Sequence, residues 1–433
     1  MKYCNGRVKS HCTYLLVHAR EEGRIMGKTR RKNLVKNREK EEEEESTLPY
    51  IPKHIVTNNI LERVPSIYLH ETFRHVCKSW NDIISSPEFA AKNVIHAKSE
   101  LLLQVSVSLR HTLRYRLKSL EMDQRLLDFK INSDYPRMGM IRSSCYGLVL
   151  VEGNDNQRQG GLVLQVKNLY TKCCLTLPKC PSDCKHVACG AALGFDPSTK
   201  EYKVVHTYAD DYGYEIFTLG CSDNAWRKVP GPFKEPYERP SNVQSFRWRD
   251  PVLVNGRVMH WYVDSKEYVV SMNISDEQTY KTYFPEFDEE IQKHRYRFIE
   301  MGGNLSFWYQ VSGTQIDVWI LKDIHGRNWV KIHSMMAESI NYCPNSKCSS
   351  TSNIFNPLPD FMKLLPVAAL RDGEVIVFKH MSDNYKSDHL YFYDIQQMVL
   401  KKFRFKITAD SRFIPHRSSL IHWEDEKELL PNR

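Results

Sequence analysis

Apolar positions recur at two different periods along this chain, and the switch from one period to the other divides it. Between Ile51 and Phe89, the residues Phe73, Val76, Cys77, Trp80 and Ile84 fall at i, i+3, i+4, i+7 and i+11. That spacing lays one apolar stripe along a helix. The segment reads as two short amphipathic helices, split at Val64-Pro65 and closed by Ser85-Ser86-Pro87. Proline disfavours helical geometry in the residue before it and cannot continue the hydrogen-bond ladder. Ile51-Pro52 puts another proline at a helix start, where its missing N–H costs nothing. A stripe this small does not make a core alone.

From about Leu101 onward the helical period gives way to short runs of Val, Ile, Tyr, Phe and Trp, punctuated by Gly, Asn, Asp and Pro. This is the composition of strands and turns. Leu193 to Val205 reads as strand, Pro-initiated turn and returning strand, and Val252 to Tyr262 as a hairpin around Asn255-Gly256. Similar phrases follow at 269–285, 298–332 and 368–405. Units of about 45 residues, each yielding roughly four strands, are what propeller blades require. Five units are visible, and Leu101 to Leu127 supplies parts of another. The fold class is therefore α+β multidomain: a small N-terminal helical module followed by an all-β, propeller-like domain, with a β-sandwich as the alternative. The expected divisions are a charged tail at 1–46, the helical module at 47–95, the β domain at 99–406 and a C-terminal tail at 407–433.

With 433 residues, 41% of them hydrophobic and 11% aromatic, the chain has ample material for a large core. No run of about 18 apolar residues exists, and Thr13 to Ala19 is too short for a signal peptide. The expected setting is cytoplasm and/or nucleus, with no membrane partner. The twelve cysteines then read as reduced thiols. A net charge of +9 raises nucleic acid as a partner. Its distribution argues against one: residues 1–46 hold 12 Lys/Arg against 8 Asp/Glu, leaving 49 against 44 over the rest, with no basic stripe among aromatics. The block Glu41 to Glu45 resists compaction, which makes 1–46 a disordered tail. Within it, Lys28 to Lys32 is a candidate import patch. Gly23 to Thr29 fails as a phosphate loop because three residues, not four, separate its glycines and no strand precedes it.

The order Ile51-Pro52, Ile60-Leu61-Glu62-Arg63-Val64-Pro65, Phe73 to Trp80 and Ile83 to Phe89 resembles the plant F-box. The phrases Gly194-Phe195-Asp196-Pro197 with Tyr202 to Val205, Trp226-Arg227, Val254-Asn255-Gly256 with His260-Trp261, and Val318 to Asp323 with Trp329 to Lys331 are similar to the F-box-associated, kelch-like domain of the same proteins. The first resemblance implies a Skp-type adaptor, and through it a cullin, met by Ile51, Pro52, Ile55, Val56, Ile60, Leu61, Val64, Pro65 and Leu69. Burial in the module's own bundle is the alternative for each, and Leu61 in particular reads as core. Three departures fall in the F-box pattern. Thr57-Asn58-Asn59 makes three residues where the family has two, and one extra residue sits between Leu69 and Phe73. An inserted residue rotates a helix by about 100° unless a π-bulge or loop absorbs it. His54 replaces an acidic residue that would favour the positive end of the helix dipole. In the β domain, Gln165 to Thr171 stands where the family has Trp-Asn-Pro and a Thr-Arg turn.

Catalytic chemistry finds little support. Cys173, Cys174, Cys180, Cys184, His186 and Cys189 cluster in sequence, but the pairs Cys180/Cys184 and His186/Cys189 lie too close for the usual two-armed zinc scaffold. No Gly-x-Ser-x-Gly elbow occurs. Asp210-Asp211 and Glu289-Glu290 read as solvated loops, and Trp261-Tyr262 and Trp308-Tyr309 as strand positions with one residue of each pair in the core. No metal, cofactor or catalytic residue is expected. The resemblance implies a non-catalytic substrate-recognition subunit of an SCF-type, cullin-based ubiquitin ligase, its β domain binding a target protein that the sequence does not name. The alternative is an adaptor-independent interaction scaffold or competitor with a degenerate F-box.

Overall fold

The computed structural model describes residues 51–421 apart from 110–111, 124–127, 155–161, 180–189, 209–212, 222, 232, 234–250, 264, 288–291, 293–294, 324–326, 344–356, 382–385 and 409. The described residues form two units: a helical one comprising 51–98 with 418–421, and a β one spanning 99–417. The expected tail and its basic patch, the cysteine and histidine positions 180, 184, 186 and 189, and the acid pairs at 210–211 and 289–290 lie outside the described residues.

The β unit is a six-bladed propeller, each blade an antiparallel meander of four strands. The second blade runs through Met140–Cys145, Leu148–Asn154, Leu162–Asn168 and Cys174–Thr176, and the third through Gly190–Asp196, Glu201–Tyr208, Gly213–Thr218 and Arg227–Val229. The fourth comprises Val252–Val254, Val258–Trp261, Tyr268–Asn273 and Thr279–Tyr283, and the fifth Tyr296–Met301, Asn304–Ser312, Gln315–Leu321 and Trp329–Met336. The sixth holds Leu364–Leu370, Val375–His380, Lys386–Asp394 and Val399–Thr408, with Asn341–Cys343 added in parallel at its edge. The eroded phrase at Gln165 to Thr171 still makes a regular blade. Leu162–Asn168 pairs with both neighbours, and Asn168 Oδ1 accepts from the N–H groups of Tyr170 and Thr171.

The first blade is assembled from both ends of the unit. Ser99–Leu109, Thr112–Asp123 and Asp128–Met138 are joined by Arg412–Arg417, which pairs with Ser99 to Gln104, Ser99 opposite Arg417 and Gln104 opposite Arg412. The domain therefore runs past the expected end at 406. Pro415 lies within this strand, and proline signals against a central strand because it lacks a donor. The position tolerates it because the strand lies at the end of its sheet, with one edge unpaired.

Blades bury both faces against their neighbours, so their cores lie in the seams. Met259, Trp261, Val270 and Met272 meet Ala192, Val205 and Tyr214 between the third and fourth blades. Tyr262 and Val269 meet Phe298 and Phe307 in the next seam, and Trp308 meets Phe378 beyond it, ring centroids 5.7 Å apart. Leu101, Leu103 and Leu120 close the ring against Val377, Leu390 and Phe392. Each fully buried aliphatic or Phe side chain contributes roughly 1.5–3 kcal/mol, so the seams outweigh any single polar contact. Trp261 and Trp308 are buried, as expected of one residue in each aromatic pair, but Tyr262 is buried too and Tyr309 half-buried. Alternation sends the tyrosines into the opposite seam instead of to solvent.

Between the third and fourth blades a polar network replaces part of this packing. Asp196 Oδ1 accepts from Ser198 N at 3.0 Å, Ser198 Oγ at 2.6 Å and Ser275 Oγ at 3.0 Å, while Lys203 Nζ lies 3.2 Å from Oδ2. Lys203 also reaches Glu277, which holds Arg227. Burial alone would raise the Asp196 pKa, but the hydrogen bonds from Ser198, Ser275 and Lys203 hold it well below the usual carboxylate range.

Of the cysteines, Cys77 and Cys145 are reduced thiols, as expected. Cys343 departs from the reduced-thiol expectation: it is disulfide-bonded.

In the helical unit the expected pair of helices is a set of three: Ser66–Glu71, Lys78–Ile84 and Pro87–His96. The apolar stripe is not one continuous helix. Phe73–His75 is a 3-10 turn, and Cys77 is extended (φ −157°, ψ 164°) before the second helix begins. Ser85-Ser86-Pro87 does end that helix, and Ser86 then caps the third, its Oγ accepting from Phe89 N at 3.2 Å with Pro87 in the first turn. Leu61, Leu69, Phe73, Trp80, Ile84, Phe89, Ala90 and Leu420 form the core. Asn93, 1% exposed, ties the chain around Pro65 to the third helix, because its amide donates to the carbonyls of Glu62 and Val64, both at 2.9 Å, and its Oδ1 faces Ser66 Oγ at 2.9 Å.

Three predictions follow from these contacts. Replacing Asn93 with Ala leaves the buried Glu62 carbonyl and the part-buried Val64 carbonyl without their donor and takes one partner from Ser66, so the helical unit loses roughly 2–4 kcal/mol by urea denaturation, while Lys92→Ala, removing a pair to Glu62 with Lys92 58% exposed, changes stability by less than about 0.5 kcal/mol. Gly256 has φ +66° and its missing Cβ would sit 2.6 Å from the Tyr146 ring; Gly256→Ala therefore destabilises the propeller by about 1–3 kcal/mol in the same assay. Burial pushes His260 down to about 3 and His416 to about 4 from 6.5. A histidine whose folded pKa is depressed contributes stability above its unfolded value and loses it as pH falls towards the folded one. Melting temperature thus declines between pH 6.5 and 4, and His260→Gln, which retains a partner for Ser271, removes part of that slope. Glu100 and Glu300, raised by burial, act in the opposite sense.

Candidate functional site

The helical unit presents its surface through the irregular segment that precedes Pro65. Ile55 and Val56 both donate their N–H groups to the Pro52 carbonyl, at 2.9 and 3.2 Å, which starts a helical turn at Lys53–Ile55. The chain then winds as a π-helix over Val56–Ile60 and tightens to a 3-10 turn over Leu61–Arg63. The π-helix holds Thr57-Asn58-Asn59, the three residues where two were expected. One extra residue per turn is the defining excess of a π-helix, so the insertion is taken up inside the segment and Leu61 still reaches the core. The second insertion is absorbed differently: helix Ser66–Glu71 stops at Thr72 (φ −126°, ψ −58°), and the chain resumes at Phe73 as a 3-10 turn.

The nine residues named from the sequence divide by burial. Leu61 and Leu69 are fully buried in the unit's own core and offer no surface. Ile51, Ile55, Val56, Ile60 and Val64 are half-buried, and Pro52 and Pro65 are exposed. Val56, Ile60 and Val64 pack against the core with one side. Their other sides, with Ile51, Pro52, Ile55 and Pro65, form an apolar margin along one chain segment. Tyr68, half exposed, was missed although the signal was present. On a helix whose Leu69 points inward, the preceding residue is rotated about 100° towards solvent.

The propeller offers a second kind of surface. In an antiparallel meander the first-to-second and third-to-fourth connections leave on one face, the second-to-third and blade-to-blade connections on the other. The first face carries tight turns at 146–147, 255–257, 302–303 and 371–374. Tyr146, Asn255, Arg371 and Asp372 take positive φ there, and the turns interlock. Tyr146 Oη donates to the Asn255 carbonyl at 3.1 Å, and Asn255 Nδ2 donates to the Gly303 carbonyl at 2.8 Å. Together they rim a cavity of about 420 Å³ lined by Ser144, Glu300, Asp372, His416 and Arg417 among others. His416 is held through Nδ1 by Ser144 Oγ at 2.8 Å, and Arg417 by Asp372 at 2.9 Å. On the opposite face, the blade-to-blade connections at 177–189, 230–251, 284–295 and 337–363 are long, whereas Gly139 alone joins the first blade to the second.

Among the described residues no cluster of His, Cys, Asp and Glu could hold a metal ion, and no helix is long and apolar enough to cross a membrane.

Known proteins agree with both units. Residues 52–92 match the F-box domain family and residues 105–426 the F-box associated beta propeller domain family. An F-box protein of Arabidopsis thaliana is 28% identical over 192 residues, covering 43% of this chain and 48% of the relative. F-box only protein 12, from the same plant, is 27% identical over 205 residues, covering 43% and 46%. The chain thus spans about half the length of these curated relatives. Among solved structures, apo AztD from Citrobacter koseri covers 72% of this chain and 84% of its own at 8% identity, with a TM-score of 0.36. The helical unit is an F-box, the β unit that follows it is an F-box associated beta propeller, and the chain belongs to the F-box-associated β-propeller family.

Proposed function

We propose that this chain is the substrate-recognition subunit of an SCF-type, cullin-based ubiquitin ligase. Its F-box would bind a Skp-type adaptor, and through it a cullin, while the propeller binds a target protein. The observation that carries the reading is the apolar margin from Ile51 to Pro65. Its residues are half-buried or exposed beside a fully built core, so they are available to a partner without cost to the fold. Tyr68 is an exposed aromatic three residues after Pro65, and aromatic side chains are favoured anchors at interfaces. The π-helix supports this reading over a degenerate F-box, because it absorbs the insertion that would otherwise have rotated Ile60 and Leu61 away from their places.

The chain would supply no nucleophile, acid or base. Holding a target beside a charged ubiquitin carrier makes transfer effectively intramolecular, and positioning of this kind is a recognised source of rate enhancement. Target contact would fall on the propeller face with the long blade-to-blade connections, because connecting segments carry binding residues more often than the scaffold that positions them. The chain would act in the cytoplasm and/or nucleus, where such ligases find their targets.

The test is capture of purified full-length chain by a Skp-type adaptor. Binding falls by more than about tenfold in Ile55→Asp and Tyr68→Asp, with the hydrogen-exchange profile of the F-box core unchanged. Failure of the wild-type chain to bind, unrelieved by deleting Thr57, would instead make it an adaptor-independent scaffold.

A further inference from the structure

We infer that the F-box is a two-part domain, completed by residues 418–421 and dependent on closure of the propeller ring to receive them. Leu420 is 4% exposed in the same core as Leu61, Leu69, Phe73 and Trp80, and Ile421 packs beside it. Ser419 is fully buried. The Ser418 carbonyl lies 3.3 Å from Ser66 Oγ, the hydroxyl that also faces Asn93 Oδ1, and Ser418 Oγ approaches the same Ser66 Oγ at 3.5 Å. The C-terminal strap thus adds apolar cover from Leu420 and Ile421 and polar contacts from Ser418, the latter at the point where the chain around Pro65 meets the third helix. Removing it would open the core beside Leu61 and leave the buried Ser66 with Asn93 as its remaining partner.

The strap reaches this core from 352 positions along the chain. A loop of that size costs more to close than a short one, though only logarithmically. The ring changes the arithmetic. Lys98 and Ser418 are the neighbours of Ser99 and Arg417, which sit opposite each other in the closing pair of strands. Once those strands have paired, the strap is one residue from the register that fixes its start, and its encounter with the F-box becomes strictly local. Before they pair, the F-box lacks its last core residue. During synthesis the F-box emerges first and the strap last, so an unfinished or unclosed receptor carries an incomplete F-box. On the reading proposed above, the device keeps chains without a complete substrate-binding domain from occupying the adaptor. The structural claim itself does not require that reading.

Hydrogen exchange on the full-length chain tests it, comparing wild type with Leu420→Asp, the milder Leu420→Ala and a chain stopped after Arg417. The expected result is exchange roughly thirtyfold faster for core amides between Leu61 and Val94 in Leu420→Asp and in the stopped chain, a smaller increase in Leu420→Ala, and unchanged protection in the propeller strands. Ile414→Pro, which breaks the closing pair but keeps the strap, is expected to loosen the F-box as well. Unchanged exchange in the F-box of Leu420→Asp overturns the two-part domain, as does equal loss of protection in both units of Leu420→Ala. An unchanged F-box in Ile414→Pro, with the first blade opened, overturns its dependence on closure. Adaptor capture by the same samples separates the two ideas: variants that show these exchange changes while the wild-type chain binds no adaptor refute the ligase reading and leave the two-part domain standing.

Discussion

Six paired residues make a row of sheets into a ring. Ser99 to Gln104 lie against Arg412 to Arg417, and the seam between the last blade and the first depends on that register. A blade has two apolar faces and no means of covering either alone. Seams such as Trp261 against Tyr214 or Trp308 against Phe378 are satisfied in sequence order, each by the next blade along. The seam between the sixth blade and the first is different: Leu101, Leu103 and Leu120 must find Val377 and Phe392 across nearly the whole length of the unit. Backbone pairing supplies direction and register to that long-range contact, and hydrophobic burial supplies most of its energy.

Much of this was legible in the sequence because it depends on local rules. Asn255-Gly256 marks a hairpin since both residues must adopt positive φ, and both do. Gly194 to Lys203 reads as a hairpin whose aspartate and lysine then prove to be partners. The closing strand was not legible, because Pro415 argues against a strand until the strand is known to have a free edge. Nor could the burial of both Trp261 and Tyr262 be read from alternation, which distinguishes two faces but not whether each is covered. In the F-box, the pattern located the module but not the division of labour within it. Leu61 and Leu69 share the apolar character of Ile55 and Ile60, and only packing separates core from surface. The strap's Leu420 lies in a polar stretch with no period around it, so nothing local marks it as core.

The two insertions in the F-box show how a fold accommodates extra chain when its anchors are fixed. Leu61 and Phe73 are each held by a core that tolerates little displacement. The residues between anchors therefore change their winding, as a π-helix at Val56–Ile60 and as a broken turn at Thr72. The cost is borne by backbone geometry at the surface, where water and neighbouring side chains can satisfy what the altered ladder leaves open.

The propeller's two faces stand under unequal constraint. Where turns of two to four residues interlock through Tyr146, Asn255 and Gly303, any change of length is felt by the neighbouring blade. The long connections at 177–189, 230–251, 284–295 and 337–363 spring from the other side and span four successive blade junctions. Mutation can therefore lengthen, shorten or recompose one sector of the molecule while the frame beneath it stays the same. A gene for such a chain could duplicate and diverge into receptors with new preferences without having to solve the folding problem again.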